Sequence, residues 1–246
     1  MPGSAPVALV TGSARRVGAA IARHLHAAGF DLALHYRSSA AEMDALRAEL
    51  ESARPASTTA FAADLGDMDA VEPLLEAVAA RFGRLDALVN NASSYYATPV
   101  GTITSAHWEE LFATNARAPL FLSQAAAPLL SAAGGVIVNL VDIFAERPLP
   151  RHTVYCMAKA ALTMLTLSLA RELGPQVRVN GVAPGNVLWS DNFAKAETEK
   201  VVRQRTALRR QGSPEDVAEA VRWLIVDAPY VTGQILRVDG GRTLFI

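Results

Sequence analysis

Tyr155 and Lys159 stand four residues apart in Tyr155-Cys156-Met157-Ala158-Lys159. On a helix that spacing puts both side chains on one face. An unperturbed tyrosine, with a pKa of about 10, is a poor acid or base near neutrality. A nearby ammonium favours the phenolate and brings the group closer to use. The pair predicts proton handling at a reacting atom, although tyrosine and lysine at this spacing also occur by chance. A second set of residues follows the apolar run Val7–Val10: Thr11-Gly12-Ser13-Ala14-Arg15-Arg16-Val17-Gly18. Gly12 can take a backbone conformation closed to other residues, and Gly18 lets a helix approach a sheet closely. The free amides of the first helical turn can then face a pyrophosphate. An ordinary tight turn carries the same glycines. Arg16 stands where such fingerprints usually have glycine; it either projects a charge towards the site or is a solvated helix-start residue.

The next strand ends His35-Tyr36-Arg37-Ser38-Ser39. Dinucleotide folds often place an acid here to bind the adenosine ribose, and that carboxylate would repel a 2′-phosphate. No acid is present, while Arg37 and the serines can bind phosphate. The expectation is NADPH rather than NADH; the alternative is a loop arginine with no ligand. Asp64 and Leu65, after strand three, fall beside the adenine, unless Asp64 caps the following turn.

The elements that must position these groups alternate between short β-rich runs and longer helical patterns. Strands are expected at Val7–Val10, Asp31–Tyr36, Thr58–Ala62, Leu85–Val89, Val136–Val141, Val177–Val182 and Gln234–Val238. Helices are expected at Val17–Ala28, Ala40–Ser52, Asp69–Arg81, over most of Trp108–Leu130, at Val154–Glu172, and at Pro214–Val226 behind a Ser213 cap. Strands apolar on both faces suit a parallel sheet covered by helices, and repeated βα units of this size argue for a doubly wound α/β fold. No linker or composition shift divides the 246 residues, so one domain is expected. The least regular stretch, 185–210, follows a strand and reads as a substrate lid.

Composition excludes several classes. A formal net charge of -1 gives no bias towards nucleic acid or an anionic membrane. The single cysteine, Cys156, forbids an internal disulfide and makes a cysteine metal cluster implausible. A reducing, cytoplasmic setting fits best. Met1–Pro6 do not read as a signal peptide. The apolar-looking stretch 125–141 is broken by Pro128, Gly134 and Gly135, too often to span a bilayer.

Taken with Asn90-Asn91-Ala92 after strand four, these features resemble the short-chain dehydrogenase/reductase family. The resemblance covers nearly the whole chain. It includes the Thr11–Gly18 turn, Asp64, Asn115, Tyr155 with Lys159, Asn180, Pro184-Gly185, Val231-Thr232-Gly233 and Val238-Asp239-Gly240-Gly241. It implies a Rossmann fold of about seven parallel strands, a nicotinamide cofactor and a homotetramer. It also implies that Asn115 holds a water in a proton relay and that Lys159 bonds the nicotinamide ribose.

One departure is informative. Thirteen residues before the tyrosine, where the family usually has serine, stands Asp142. That change could mark a dead enzyme, but it also resembles the pteridine reductase branch. Three segments agree with that branch: Ser13–Gly18 with Arg16, His35–Ser38, and Asn91-Ala92-Ser93-Ser94-Tyr95-Tyr96-Ala97-Thr98-Pro99. The resemblance implies that Tyr95 stacks on a pterin and that Ser93 and Arg16 contact pterin or cofactor phosphates. Loop packing is the alternative for Tyr95 and Tyr96. The expected activity is NADPH-dependent reduction of a dihydropterin or dihydrofolate. The rivals are a carbonyl or 3-oxoacyl-thioester reductase and a non-catalytic NADP-binding sensor. Asp142 itself either joins the proton chemistry or only caps a loop and holds Tyr155.

Overall fold

A computed structural model describes residues 5–187 and 202–246. Seven parallel strands form one sheet: β1 (Val7–Val10), β2 (Asp31–Tyr36), β3 (Thr58–Ala62), β4 (Ala87–Asn90), β5 (Val136–Leu140), β6 (Arg178–Pro184) and β7 (Ile235–Val238). Their order is β3-β2-β1-β4-β5-β6-β7, so the winding reverses between β1 and β4. This is the expected Rossmann arrangement.

Side chains alternate across a strand, and β1 shows why the sheet is covered on both faces. Ala8 and Val10 point to one face and Val7 and Leu9 to the other, all buried. On the first face lie α1 (Arg16–Ala27), α2 (Ala40–Ala53) and α7 (Pro214–Val226), through Ile21, Leu25, Met43, Leu46, Val217 and Leu224. On the second lie α3 (Val71–Phe82), α5 (Ala118–Ala133) and α6 (Thr153–Glu172), through Leu74, Val78, Leu122, Leu130 and Leu169. α7 starts where its cap predicts. Ser213 Oγ accepts from the Asp216 amide at 3.3 Å, and the Ser213 amide donates to Asp216 Oδ2 at 2.8 Å. By length and composition α6 is apolar enough to cross a membrane, but half of that stretch is buried within the protein.

The helical run expected around Trp108–Leu130 is not one helix. α4 (Ser105–Phe112) is joined to α5 by a wide π-helical turn, Ala113–Arg117. Thr114 Oγ1 donates to the Glu110 carbonyl at 3.3 Å and Asn115 Nδ2 to the Leu111 carbonyl at 2.9 Å. Such turns frequently sit at functional sites. Inside the sheet a polar chain joins β4, β5 and α6: Asn90 Nδ2 donates to Asn139 Oδ1 at 2.8 Å, and Asn139 Nδ2 to Thr166 Oγ1 at 2.9 Å. The lid expected at 185–210 falls mostly on 188–201, outside the described residues.

Gly18 brings α1 close against the turns that follow β1 and β4. A Cβ there would lie 2.2 Å from the Gly12 carbonyl oxygen and 2.7 Å from Asn91 Nδ2. The first partner is backbone, and the second is a side-chain end held by hydrogen bonds to the carbonyls of Thr11 and Gly12. Gly18→Ala should therefore lower stability by about 1–3 kcal/mol, the usual range for overpacking. A thermal unfolding midpoint equal to wild type would disprove the contact.

Candidate active site

The loops after β1 and β4 part where the winding reverses, at the carboxyl ends of the strands. Ligands bind there in open α/β sheets. Thr11 stitches the two loops together. Its Oγ1 accepts from the amides of Asn91 (2.9 Å) and Ala92 (3.0 Å). Asn91 Nδ2 in turn donates to the carbonyls of Thr11 (2.8 Å) and Gly12 (3.1 Å). Gly12 has φ +61, and a Cβ on it would come within 3.0 Å of Ala92 Cα. Arg16 also adopts a left-handed φ, +54. That explains why glycine suits this position, and why an arginine here carries some strain.

His35 sits under this turn. Its Nδ1 accepts the Gly12 amide at 3.1 Å, and its Nε2 lies 3.0 Å from the Ala63 carbonyl, which can only accept. The ring is therefore neutral with its proton on Nε2, and burial pushes its pKa down. Sequence reading places His35 at the cofactor. The structure makes it first a buried brace of the glycine turn, 2% exposed, and only then part of the wall.

A cleft of about 330 Å³ opens above the turn. Its walls include Gly12, Arg15, Arg16, Val17, Gly18, His35, Tyr36, Arg37, Ser38, Asp64, Leu65, Asn91, Ala92 and Ser93. These are nearly all the residues expected to hold a dinucleotide. α1 begins here with no side-chain cap and no acid in its first turn. A basic helix start opposes the helix dipole, an arrangement that a bound anion would complement. Asp64 serves both readings. Its Oδ1 accepts the Gly66 amide at 2.9 Å, closing the turn, and it still lines the cleft. Pro184 and Gly185 lie apart from these walls. They end β6, where a Cβ on Gly185 would meet Asp239 Cα at 2.8 Å.

The proton-handling group lies at the ends of β5 and α6. Tyr155 Oη donates to Asp142 Oδ2 at 2.7 Å, while Asp142 Oδ1 accepts the Phe144 amide at 2.9 Å. Asp142 therefore caps the short turn that follows β5 and also meets Tyr155. Lys159 Nζ donates to the Leu140 carbonyl at 2.8 Å and lies 5.8 Å from the Tyr155 ring centre. Burial raises the pKa of Asp142, against the pull of Phe144, Tyr155 and Lys159. Burial also lowers Lys159 to about 8, although Asp142 opposes this.

Tyr155 departs from expectation. The lysine was expected to bring it down. Burial and then the Asp142 carboxylate instead push it well above its ordinary value. A phenolate would face a carboxylate across one hydrogen bond, and like charges resist that. In this arrangement Tyr155 keeps its proton and donates it in a hydrogen bond to Asp142.

Asn115 braces the wall of the cleft. It is fully buried in the wide turn; its Nδ2 also donates to the Ser94 carbonyl at 2.9 Å, and its Oδ1 accepts from Ser93 Oγ at 2.7 Å. Of the adjacent tyrosines, Tyr95 makes a ring contact with the group. Its ring meets Tyr155 edge-on, with centroids 4.9 Å apart. Tyr96 packs against His107 and donates to Glu110, which is the loop-packing alternative. Two residues escaped the sequence reading. Thr11 lies inside the glycine motif, and its hydroxyl beside a required turn was the available signal. His152 stacks on Tyr95 from 57 positions away, and no local pattern reveals that.

The fold and site define a nicotinamide-dependent oxidoreductase. The family model described as enoyl-(acyl carrier protein) reductase matches residues 12–243. The chain belongs to the short-chain dehydrogenase/reductase family. Pteridine reductase 1 of Leishmania tarentolae is 38% identical over 281 residues, covering 98% of this chain and 97% of the relative. A putative ketoacyl reductase 2 of granaticin polyketide synthesis in Streptomyces violaceoruber is 38% identical over 247 residues, with 98% and 97% covered. A 3-oxoacyl-[acyl-carrier-protein] reductase of Synechocystis sp. is 33% identical over 246 residues, with 98% of each covered.

The Lys159 shift has a measurable sign. Its native pKa of about 8 lies below the ordinary 10.5, so between those values the unfolded chain binds more protons. The cost of burying the ammonium is in full force below pH 8 and fades as pH rises towards 10.5. Chemical denaturation of wild type and Lys159→Met should show wild-type stability gaining on the variant between about pH 8 and 10. A pH-independent difference would mean that Lys159 keeps its ordinary pKa in the fold and stays charged across this range.

Proposed function

We propose that this chain is an NADPH-dependent pteridine reductase, reducing a dihydropterin or dihydrofolate to the tetrahydro form. Identity does not decide this, since the pteridine and ketoacyl relatives are equally similar. The observation that carries the reading is the 2.7 Å bond between Tyr155 and Asp142, at the position where the family usually has serine. Reducing a C=N bond needs a hydride at carbon and a proton at nitrogen. A ketone takes its hydride at carbon and its proton at oxygen, where charge develops as an oxyanion, and an ionised aspartate beside Tyr155 would oppose that charge. With its pKa raised, Asp142 is better able to take and pass protons near neutrality than a surface carboxylate. Tyr155 and Asp142 protonate the substrate, directly or through water. Lys159 lends positive charge beneath them and bonds the nicotinamide ribose. Asn115 holds the connecting water. Tyr95 lies flat on the substrate ring, and Ser93 and Arg16 touch pterin or phosphate.

The cleft residues fit a dinucleotide by their chemistry: an uncapped helix start, two glycines that admit no Cβ, and a basic rim. The bound cofactor supplies the hydride. Arg37 and Ser38 take the 2′-phosphate, with no acid nearby on β2 to favour a bare ribose. Retention of both Tyr155 and Lys159 in contact geometry weighs against a non-catalytic sensor. The protein works as a homotetramer. Exposed Leu120 and Phe121 on α5 and Met157, Met164 and Leu167 on α6 support this, because they leave apolar surface for a second copy. It works in the cytoplasm, in keeping with a buried free Cys156, on small molecules rather than nucleic acid or membrane.

Two measurements test these assignments. Wild type should favour NADPH over NADH by about 1.5–3 kcal/mol in kcat/KM, the range of a charge-assisted contact, and Arg37→Ala should narrow the gap. Comparable efficiency with both cofactors in wild type would defeat the assignment. Asp142→Ser should lower kcat/KM for dihydrobiopterin by about 10²-fold or more, the range for general acid–base groups. Any reduction of acetoacetyl thioester should hold or improve. Undiminished pterin turnover in the variant would remove the carboxylate from the chemistry and take away the main mechanistic support for the pteridine reading.

A further inference from the structure

Tyr95 is 53% exposed, unusual for an aromatic side chain that touches a buried group such as Tyr155. A half-exposed ring on a loop adopts many rotamers unless something holds it. Here His152 does. The two rings stack with centroids 4.9 Å apart and planes 14° from parallel. The imidazole is itself fixed, since its Nδ1 donates to the Pro150 carbonyl at 2.9 Å. A separate backbone contact clasps the same two loops. Thr98 pairs with His152 in an isolated parallel bridge, and the Thr98 amide donates to the Arg151 carbonyl at 2.6 Å. Arg151 makes this contact from a left-handed φ of +66, a strained choice for a residue with a Cβ. The loop before α6 is thus bent to bring the imidazole onto Tyr95. None of these residues lines the dinucleotide cleft.

We propose that His152 is a positioning residue for substrate: stacked on Tyr95, it holds that ring as a flat shelf beside Tyr155. This rests on the pteridine reductase reading. It adds that selection of a planar heteroaromatic substrate belongs to a two-ring unit, not to Tyr95 alone. A pre-set shelf spares the substrate the ordering of a loose ring. The contribution falls on substrate binding, while proton transfer at Asp142 and Tyr155 and cofactor binding stay as they are.

The test is a double-mutant cycle on the intact enzyme with saturating NADPH and dihydrobiopterin. His152→Ala should raise KM for the pterin about three- to tenfold, the range of an aromatic stack, with kcat changed less than twofold. NADPH affinity, read by fluorescence titration, should stay within about twofold. His152→Phe, which keeps a flat ring, should restore KM. In a Tyr95→Ala background His152→Ala should add nothing further, because the imidazole acts only through the tyrosine. Additive effects of the two substitutions, or a KM unmoved by His152→Ala, would overturn the proposal and leave the reaction standing. So would equal losses of pterin and NADPH affinity without rescue by phenylalanine, which would mark a general structural role. If wild type turns over no dihydropterin, the reaction assignment fails first and the shelf falls with it.

Discussion

A doubly wound sheet must reverse its winding once, and here it does so between β1 and β4. Crossovers on either side leave in opposite directions, so the loops after these two strands are forced apart. Every group described at the site follows from that parting. The β1 loop turns through Gly12 into α1 and offers amides; the β4 loop carries Asn91 to Tyr95 across the gap. Thr11 and Asn91 keep the gap from widening, through four hydrogen bonds between the loops. β5, the next strand out, then brings Asp142 to the same edge, and α6 lays Tyr155 and Lys159 over it.

The electrostatics of that edge come from burial more than from pairing. Asp142, Tyr155 and Lys159 are all desolvated, and for each the first cause of its shift is burial. Burial favours the neutral form of every member. An acid with a raised pKa next to a base with a lowered one narrows the gap between their proton affinities. The gap between Asp142 and Lys159 is thus smaller than in water, while Tyr155 holds its proton more firmly than a free phenol. The buried amides Asn90, Asn139 and Asn115 line the same region with neutral dipoles and add no charge.

Much of this was legible in the sequence because strands and helices here obey their periods locally. β2 and β3 fall on their expected residues, and α7 starts at its cap. The glycine turn was legible too, since its requirement for residues without a Cβ is written in the residue type. The wide turn at Ala113–Arg117 was not, because its apolar pattern resembles that of a regular helix. The brace role of His35 was hidden for a different reason: a buried and a ligand-facing histidine at a strand end look alike until the neighbouring turn is placed. The direction of the Tyr155 shift depends on a hydrogen bond across thirteen residues, and the helical spacing to Lys159 pointed the other way. Contacts between loops, as between Tyr95 and His152, have no sequence period at all.

The wide turn also sets a rule for chain length. Between Ser105 and Ala133 the backbone fits in a residue beyond what a regular helix would use. Deleting one residue from 113–117 would draw α4 and α5 towards one helix and leave Pro119, now in the first turn of α5, in its interior, where it has no amide to donate and its ring crowds the preceding turn. It would also swing α4 by about 100° relative to α5, the rotation of a single helical residue. Leu111 would leave the cluster it forms with Val154, Tyr155 and Cys156, and Asn115 would turn away from Ser93. A chain shortened here would thus still close its sheet yet lose the packing of Leu111 with Tyr155 and the bond from Ser93 to Asn115. Insertions and deletions in this stretch are therefore bound to the chemistry, while those at helix–strand loops far from the parting are not.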